Sequence, residues 1–363
     1  MRDLKPVLQA AGFVVLAFLL AAVIFQAAGY DIGAIGVGLV DGAIAGPGAF
    51  INTVRWALPL AVIGLGVAVC FRAGFFNVGA QGQLYMGAIA STAIALHLPG
   101  PAWLVTVVAV VAAVVAGALW SLIAAVLKVY TGADEVLTTL MLNFIGVLVL
   151  DYVASGPLKD VKGSGQVASS ERVAEDLRLS DAFGASPTLI AITLLLAAAV
   201  WIWMARTKGG LTSKLAGRNP VMVRWQGGNP NRMVLSSFAF AGATAGLAGA
   251  MHVLGPAGRL VSNFSPDLGF TAVLVALVGL LSVPGVLIAA VFFGGLQAAL
   301  QYLPVVSDLP RAGLDLIQGV IAVMITLQLR WQFKRRRERA QQAERQPTPA
   351  ATTTASSEGS SSV

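Results

Sequence analysis

The sequence predicts an all-α integral membrane protein of about ten transmembrane helices with both termini in the cytoplasm. Its composition is the first reason. Of 363 residues 57% are hydrophobic and 11% charged, with a mean hydropathy of +0.80, whereas a soluble domain carries about 25% charged residues. The second is the length of its uncharged runs, against the ~20 residues that cross a bilayer as a helix. Ala73 to Leu127 holds no charge over 55 residues, and Leu268 to Ser307 none over 40. The third is a lopsided distribution of Lys and Arg between the two sides that these runs define.

The elements follow in order. The first apolar run, 7–28, is longer than a signal-peptide core and lacks a convincing cleavage site, so it reads as a retained helix. A span follows at 57–72. The 55-residue run breaks at His97-Leu98-Pro99-Gly100-Pro101, where proline and glycine force a turn, giving spans at 82–98 and 102–127. Further spans fall at 133–152, 187–205 and 233–254. The 40-residue run breaks at Ser282-Val283-Pro284-Gly285, leaving short, broken helices at 270–282 and 284–303, and a last span falls at 313–330. Five spans per half is an odd number, so a duplication would leave the halves inverted relative to one another. The segments Asn77 to Ala90 and Asn263 to Gly279 each start at an asparagine near glycines and a short apolar run, and are candidates for such a repeat.

An even number of spans puts both ends on one side, and basic residues resist translocation. With the N-terminus inside, 17 of the 24 Lys and Arg residues are cytoplasmic. Six of them, Arg206, Lys208, Lys214, Arg218, Arg224 and Arg232, lie in a loop over 206–232 that contains no acid. The long loop 156–186 mixes both signs and is expected as a small exposed cap on the outer side. Residues 1–330 form the membrane domain. Residues 331–363 begin with Lys334, Arg335, Arg336, Arg337 and Arg339, an anchor for anionic lipid headgroups, and continue as a Thr/Ser/Ala/Pro tail with too little apolar surface to fold alone. The basic residues lie between apolar spans rather than in a recognition patch, which argues against nucleic acid. The single cysteine, Cys70, sits in an apolar run and reads as a buried small hydrophobe.

Little in the chain supports catalysis. It has two histidines, His97 and His252, and no HExxH, Cys/His cluster or GxSxG, so neither a metal nor a cofactor is expected. It also has no phosphate-cradling GxxxxGK[ST] loop, so any ATP is hydrolysed by another subunit. The informative stretch is Phe71 to Gln83, where Phe75, Asn77, Gln81 and Gln83 lie among glycines between two apolar runs. Glycines let the backbone leave helical geometry, and the amides offer uncharged hydrogen bonds. These groups either bind neighbouring helices or line a pathway. Asn143, with Glu135, marks a partly polar face about 80° wide on the fifth span. Gly242, Gly246 and Gly249 on the seventh span form a small-xxx-small pattern suited to internal helix packing. In the basic loop, the Asn-Pro turn at Gly217, Arg218, Asn219 and Pro220 precedes an amphipathic stretch with Arg224, a candidate docking surface for a cytoplasmic partner.

At these residues the sequence resembles the permease subunits of ATP-binding cassette (ABC) importers for simple sugars and nucleosides, and within them the nucleoside branch that works with basic membrane lipoproteins. Three segments carry the resemblance: Phe76 to Gln83; Gly132-Ala133-Asp134-Glu135-Val136 running on to Asn143; and Gly217-Arg218-Asn219-Pro220. The run Gly269 to Gly279 followed by Pro284-Gly285 is also similar. Departures are Gln81 for the usual glutamate, Asp134 for the usual asparagine, and Met222 and Val223 for small residues. The resemblance implies that two permeases, as a heterodimer, form the pore in the bacterial inner membrane. It implies too that cytoplasmic ABC ATPases drive the pore through the 217–226 loop, and that an external substrate-binding lipoprotein delivers a nucleoside or related simple sugar. Phe75, Asn77, Gln81, Gln83 and Asn143 are then candidates for the substrate pathway. Two alternatives stay open on the residues: a branched-chain amino acid permease, which would need charges for a zwitterion, and an ion-coupled secondary transporter, for which Glu135 is the nearest candidate carboxylate.

Overall fold

The computed structural model describes residues 5–161, 168–179, 186–217, 220–225, 227–262, 264, 267–306 and positions 319, 320 and 323. The expected span at 313–330 and the tail after it lie otherwise outside the described residues. The protein is all-helical, with no named strand among the described residues, only the isolated bridges Lys159–Ser170 and Ser169–Val261.

The chain divides into two units. One comprises residues 1–28 and 315–363, the other 29–314. Helix α1 (Lys5–Ala27) belongs to the first. It buries Ala17, Ala21 and Phe25, one stripe at four-residue spacing, and exposes Val15, Leu19 and Val23.

The second unit opens with α2 (Ile32–Val40), which the apolar-run reading did not anticipate because it is short. Asp31 caps it by accepting from Gly33 N at 2.7 Å. A π-helical turn at Asp41–Ala45 leads to α3 (Ala49–Arg72). Then come α4 (Ala80–His97), α5 (Ala102–Thr131) and α6 (Glu135–Ser155). Asp134 caps α6, accepting from Val136 N and Leu137 N at 2.8 and 2.9 Å. Helix α7 (Pro187–Arg206) starts on proline, whose missing N–H costs nothing at that position. Helices α8 (Lys208–Ala216) and α9 (Pro220–Trp225) are short and precede α10 (Pro230–His252), α11 (Leu268–Val278) and α12 (Val283–Val306). Six of the described helices, α3, α5, α6, α7, α10 and α12, are long and apolar enough to cross a membrane.

The core is built by α3, α4, α5 and α10, with α11 and α12 on the other side of α3. Small residues bring these backbones together. A Cβ on Gly246 would overlap the Ala113 carbonyl oxygen, one on Gly242 the Gly117 carbonyl oxygen, and one on Gly249 the Leu84 carbonyl oxygen. All three glycines of that pattern therefore face α4 or α5. The described part of the 156–186 loop is tied to the stretch after α10. Its amides at Ser170, Val173 and Leu179 donate to the carbonyls of Leu260, Gly258 and Leu254 at 2.8 to 2.9 Å. That pairing satisfies backbone groups which the irregular stretch after α10 would otherwise bury alone.

Candidate functional site

The helix α3 stops at Gly74, whose φ of +86° suits glycine, and Gly74 N and Phe75 N return to the carbonyls of Phe71 and Cys70 at 3.0 and 3.2 Å. The chain then runs without helix to α4, which starts beside the middle of α6 rather than at its end. Gly82 N donates to Asn143 Oδ1 at 2.9 Å, and Asn143 Nδ2 donates to the Val78 carbonyl at 2.9 Å. One side chain of α6 thus holds both strands of the turn. Thr139, one helical turn earlier on the same face, accepts from Val78 N at 3.3 Å while its hydroxyl donates to the Glu135 carbonyl at 2.6 Å.

Asn77 and Gln83 face each other as a reciprocal amide pair, with Gln83 Nε2 donating to Asn77 Oδ1 at 3.0 Å and Asn77 Nδ2 to Gln83 Oε1 at 3.3 Å. The same Asn77 oxygen accepts from Gly79 N at 2.9 Å, capping the entry to α4. Gln81 reaches across to α11, its Oε1 accepting from Gly269 N at 2.6 Å. The first turns of α4 and α11 touch here: a Cβ on Gly269 would lie 2.6 Å from Gln81 Cα. Each N-terminus carries free N–H groups and a partial positive charge, so amide oxygens are the fitting neighbours. Asn77, Gln81, Gln83 and Asn143 are all 3% exposed or less. The cluster is a neutral hydrogen-bonded knot joining α4, α6 and α11. It can orient uncharged polar groups, and it contains no acid or base to move a proton.

The structure brings those four amides together and leaves Phe75 apart. The half-buried Phe75 lines a pocket of about 200 Å³ with Gly74, Ala216, Gly217 and Val223. There a Cβ on Gly74 would lie 2.9 Å from Gly217 Cα, so the start of the 217–226 loop rests on the α3–α4 turn. Pro220 opens α9 and Arg224 is exposed on it, while Arg218 and Asn219 lie outside the described residues. Sequence reasoning passed over Thr139 and the contact of Gly269 with Gln81. Thr139 was within reach, since it shares the face of Asn143 at i−4, whereas the Gly269 contact spans 188 residues and leaves no local signal.

Glu135 is engaged elsewhere: Lys128 Nζ lies 2.5 Å from its carboxylate, clamping the α5–α6 turn. His252 stacks on Phe264 with centroids 4.5 Å apart, and Tyr85 donates to the Phe264 carbonyl at 3.3 Å. Both are packing contacts.

Residues 49–327 match the family described as the permease component of branched-chain amino acid transport systems. The chain belongs to this permease family. The permease is 32% identical over 296 residues to the glucose ABC transporter permease protein TsgB13 of Haloferax volcanii, covering 77% of this chain and 76% of the relative. It is 30% identical over 278 residues to the guanosine ABC transporter permease protein NupP of Bacillus subtilis, covering 76% and 80%. It is also 30% identical over 294 residues to the nucleoside ABC transporter permease protein NupB of Lactococcus lactis, covering 78% and 81%. No solved structure matches the chain. The permease is therefore a multi-pass membrane protein and a transport component of the ABC class, not an enzyme, and the ion-coupled reading is set aside.

Proposed function

We propose that the permease forms, with a second and different permease subunit, the translocation pathway of an ABC importer that carries a nucleoside or a related simple sugar across a bacterial inner membrane. The observation that carries this is the similarity to guanosine and nucleoside permeases over some three quarters of both chains. The chemistry of the α4–α11 meeting point agrees with it. A neutral, hydroxyl-rich substrate needs a few uncharged donors and acceptors beside apolar surface, and Asn77, Gln81, Gln83 and Asn143 supply amides without a fixed charge. Two helices that begin inside the protein and meet by their N-termini are a feature of transporters built from inverted repeats. Ten spans in two inverted halves of five, with cytoplasmic termini, would generate that meeting.

In this proposal an external lipoprotein delivers substrate, and a separate cytoplasmic ABC ATPase docks on Gly217 to Pro220 and Arg224. ATP-driven closure of the ATPase pair pushes the loop against the α3–α4 turn, where Gly217 and Gly74 meet. The test is a mild-detergent pull-down of the tagged chain from its native membrane, read by mass spectrometry and repeated with Asn219→Ala and Pro220→Ala. Recovery of an ATPase, a second permease and a lipoprotein, with the ATPase lost in the loop variants, supports the proposal. Recovery of the chain alone from actively transporting membranes refutes it.

A further inference from the structure

A cavity of about 470 Å³, separate from the amide knot, opens between α7 and α10 and is floored by Val69 of α3. Helix α7 packs on α3, α8 and α12, and the cavity lies between it and α10. The α7 wall is Leu196, Val200 and Trp203, and the α10 wall is Phe240, Ser237 and Ser236. These follow three- and four-residue steps, so each wall is one face of its helix. One further step along each face reaches an arginine: Arg206 is three residues past Trp203, Arg232 is four before Ser236, and Arg72 is three past Val69. All three helices that build the cavity thus carry an arginine about one turn beyond its lining residues, and Arg72 reaches Met204 near the end of α7.

None of the three arginines has a carboxylate partner among the described residues. Arg206 and Arg232 are exposed. Arg72 is half-buried, its Nη1 contacts Met204 Sδ at 3.6 Å, and its Nε is buried without a hydrogen-bond acceptor. The adjoining loop 206–232 contains no acid. Positive charge is therefore gathered beyond one end of an otherwise apolar slot, with no carboxylate partner among the described residues. Three guanidiniums without a carboxylate partner among the described residues, beside an apolar trough, call for an amphiphile with an anionic oxygen-rich head and a hydrocarbon tail.

We propose that this cavity binds an anionic phospholipid, its acyl chain along the Leu196–Trp203 and Ser236–Phe240 walls and its phosphate at Arg72, Arg206 and Arg232. The lipid fills the cavity between α7 and α10 and sets its phosphate against the guanidinium of Arg72 together with those of Arg206 and Arg232. The site is independent of the transported substrate. On the proposed topology it lies in the cytoplasmic leaflet, next to the loop that meets the ATPase.

The test uses full-length protein purified in mild detergent and titrated with phosphatidylglycerol or phosphatidylcholine. Bound lipid is counted by native mass spectrometry, with thermal unfolding followed in parallel. Arg206→Gln with Arg232→Gln removes exposed charge and leaves the core untouched. Ala199→Trp fills the cavity without touching charge. Phosphatidylglycerol should be retained over phosphatidylcholine by the wild type, and each lost cation should weaken it about 5-fold, roughly 25-fold for the double variant. Ala199→Trp should abolish retention while the protein stays monodisperse. Equal retention of both lipids, or unchanged phosphatidylglycerol binding in either variant, would overturn the proposal. So would displacement of the lipid by a nucleoside, which would make the cavity a substrate site, or loss of a second permease subunit in Ala199→Trp, which would make it a subunit interface.

Discussion

Helices α3 and α7 are both strongly apolar, yet 83% of the most apolar stretch of α3 is buried in the protein and only 28% of that of α7. Apolar character directs both into the membrane and says nothing about which faces lipid. The difference lies in the small residues. Helix α3 carries Gly64 and Gly66, which seat against Val275 and Thr244, whereas α7 has no glycine and turns Leu194, Leu195, Trp201 and Ile202 outward. Helix α5 combines both patterns. Its stripe Val105, Ala109, Ala113, Gly117, Ser121 and Ala124 is buried, and Val107, Val111, Val115 and Leu119 are exposed. Inside a bilayer the hydrophobic effect does not separate interior from exterior, so close packing of small residues and interhelical hydrogen bonds must do it.

Substitutions that put bulk or apolar surface into the interior test this contrast first. Gly246→Leu drives a side chain into the Ala113 carbonyl and the Gly117 backbone, where rotamer change offers no escape. It should cost at least the ~3 kcal/mol typical of severe overpacking, seen as loss of most of the protein from the membrane fraction. Asn143→Leu keeps the volume and removes both bonds to the α3–α4 turn, leaving Gly82 N–H and the Val78 carbonyl buried without partners. A cost of about 2 kcal/mol is expected, measured as a lower unfolding temperature in detergent. If Asn143→Leu were neutral, the knot would not be holding α4 to α6.

The sequence read the outline of the fold well and its interior contacts poorly. Apolar runs located α4 to α7, α10 and α12 to within a few residues, because bilayer thickness sets a length that composition alone can report, while α3 begins eight residues before its expected span and takes in Arg55. Helix α2 escaped, being nine residues long, below that length. Asn77, Gln83 and Asn143 stood out as polar groups in apolar surroundings, but their pairing did not, since amide partners are chosen by three-dimensional register. Phe75 looked like a neighbour of Asn77 by position, and the turn after Gly74 carries its ring away to Val223 and Ala216. The cavity between α7 and α10 was invisible because the helices that build it are far apart in the chain, with the arginines proposed at its end spread over 160 positions from Arg72 to Arg232.

Smaller effects sharpen the contrast at the periphery. Removing the Lys128–Glu135 clamp by Lys128→Ala should cost under about 1 kcal/mol, since the lysine is partly exposed and solvent screens the pair, and added salt should shrink the difference in unfolding temperature. Leu195→Ala, 70% exposed on α7, should change stability by no more than about 0.5 kcal/mol. A large effect there would mean that α7 faces a partner subunit instead of lipid.

The most direct measurement of the central claim is ATP-dependent uptake of a labelled nucleoside or simple sugar by vesicles containing the full importer, normalised to the amount of permease in the membrane. Wild-type vesicles should accumulate one such substrate, and Gln81→Leu, which breaks the contact between the first turns of α4 and α11, should reduce uptake per molecule at least about 10-fold, equivalent to 1.4 kcal/mol, while Leu195→Ala leaves it unchanged. Uptake that survives Gln81→Leu at the wild-type rate per molecule would contradict a pathway organised by that junction.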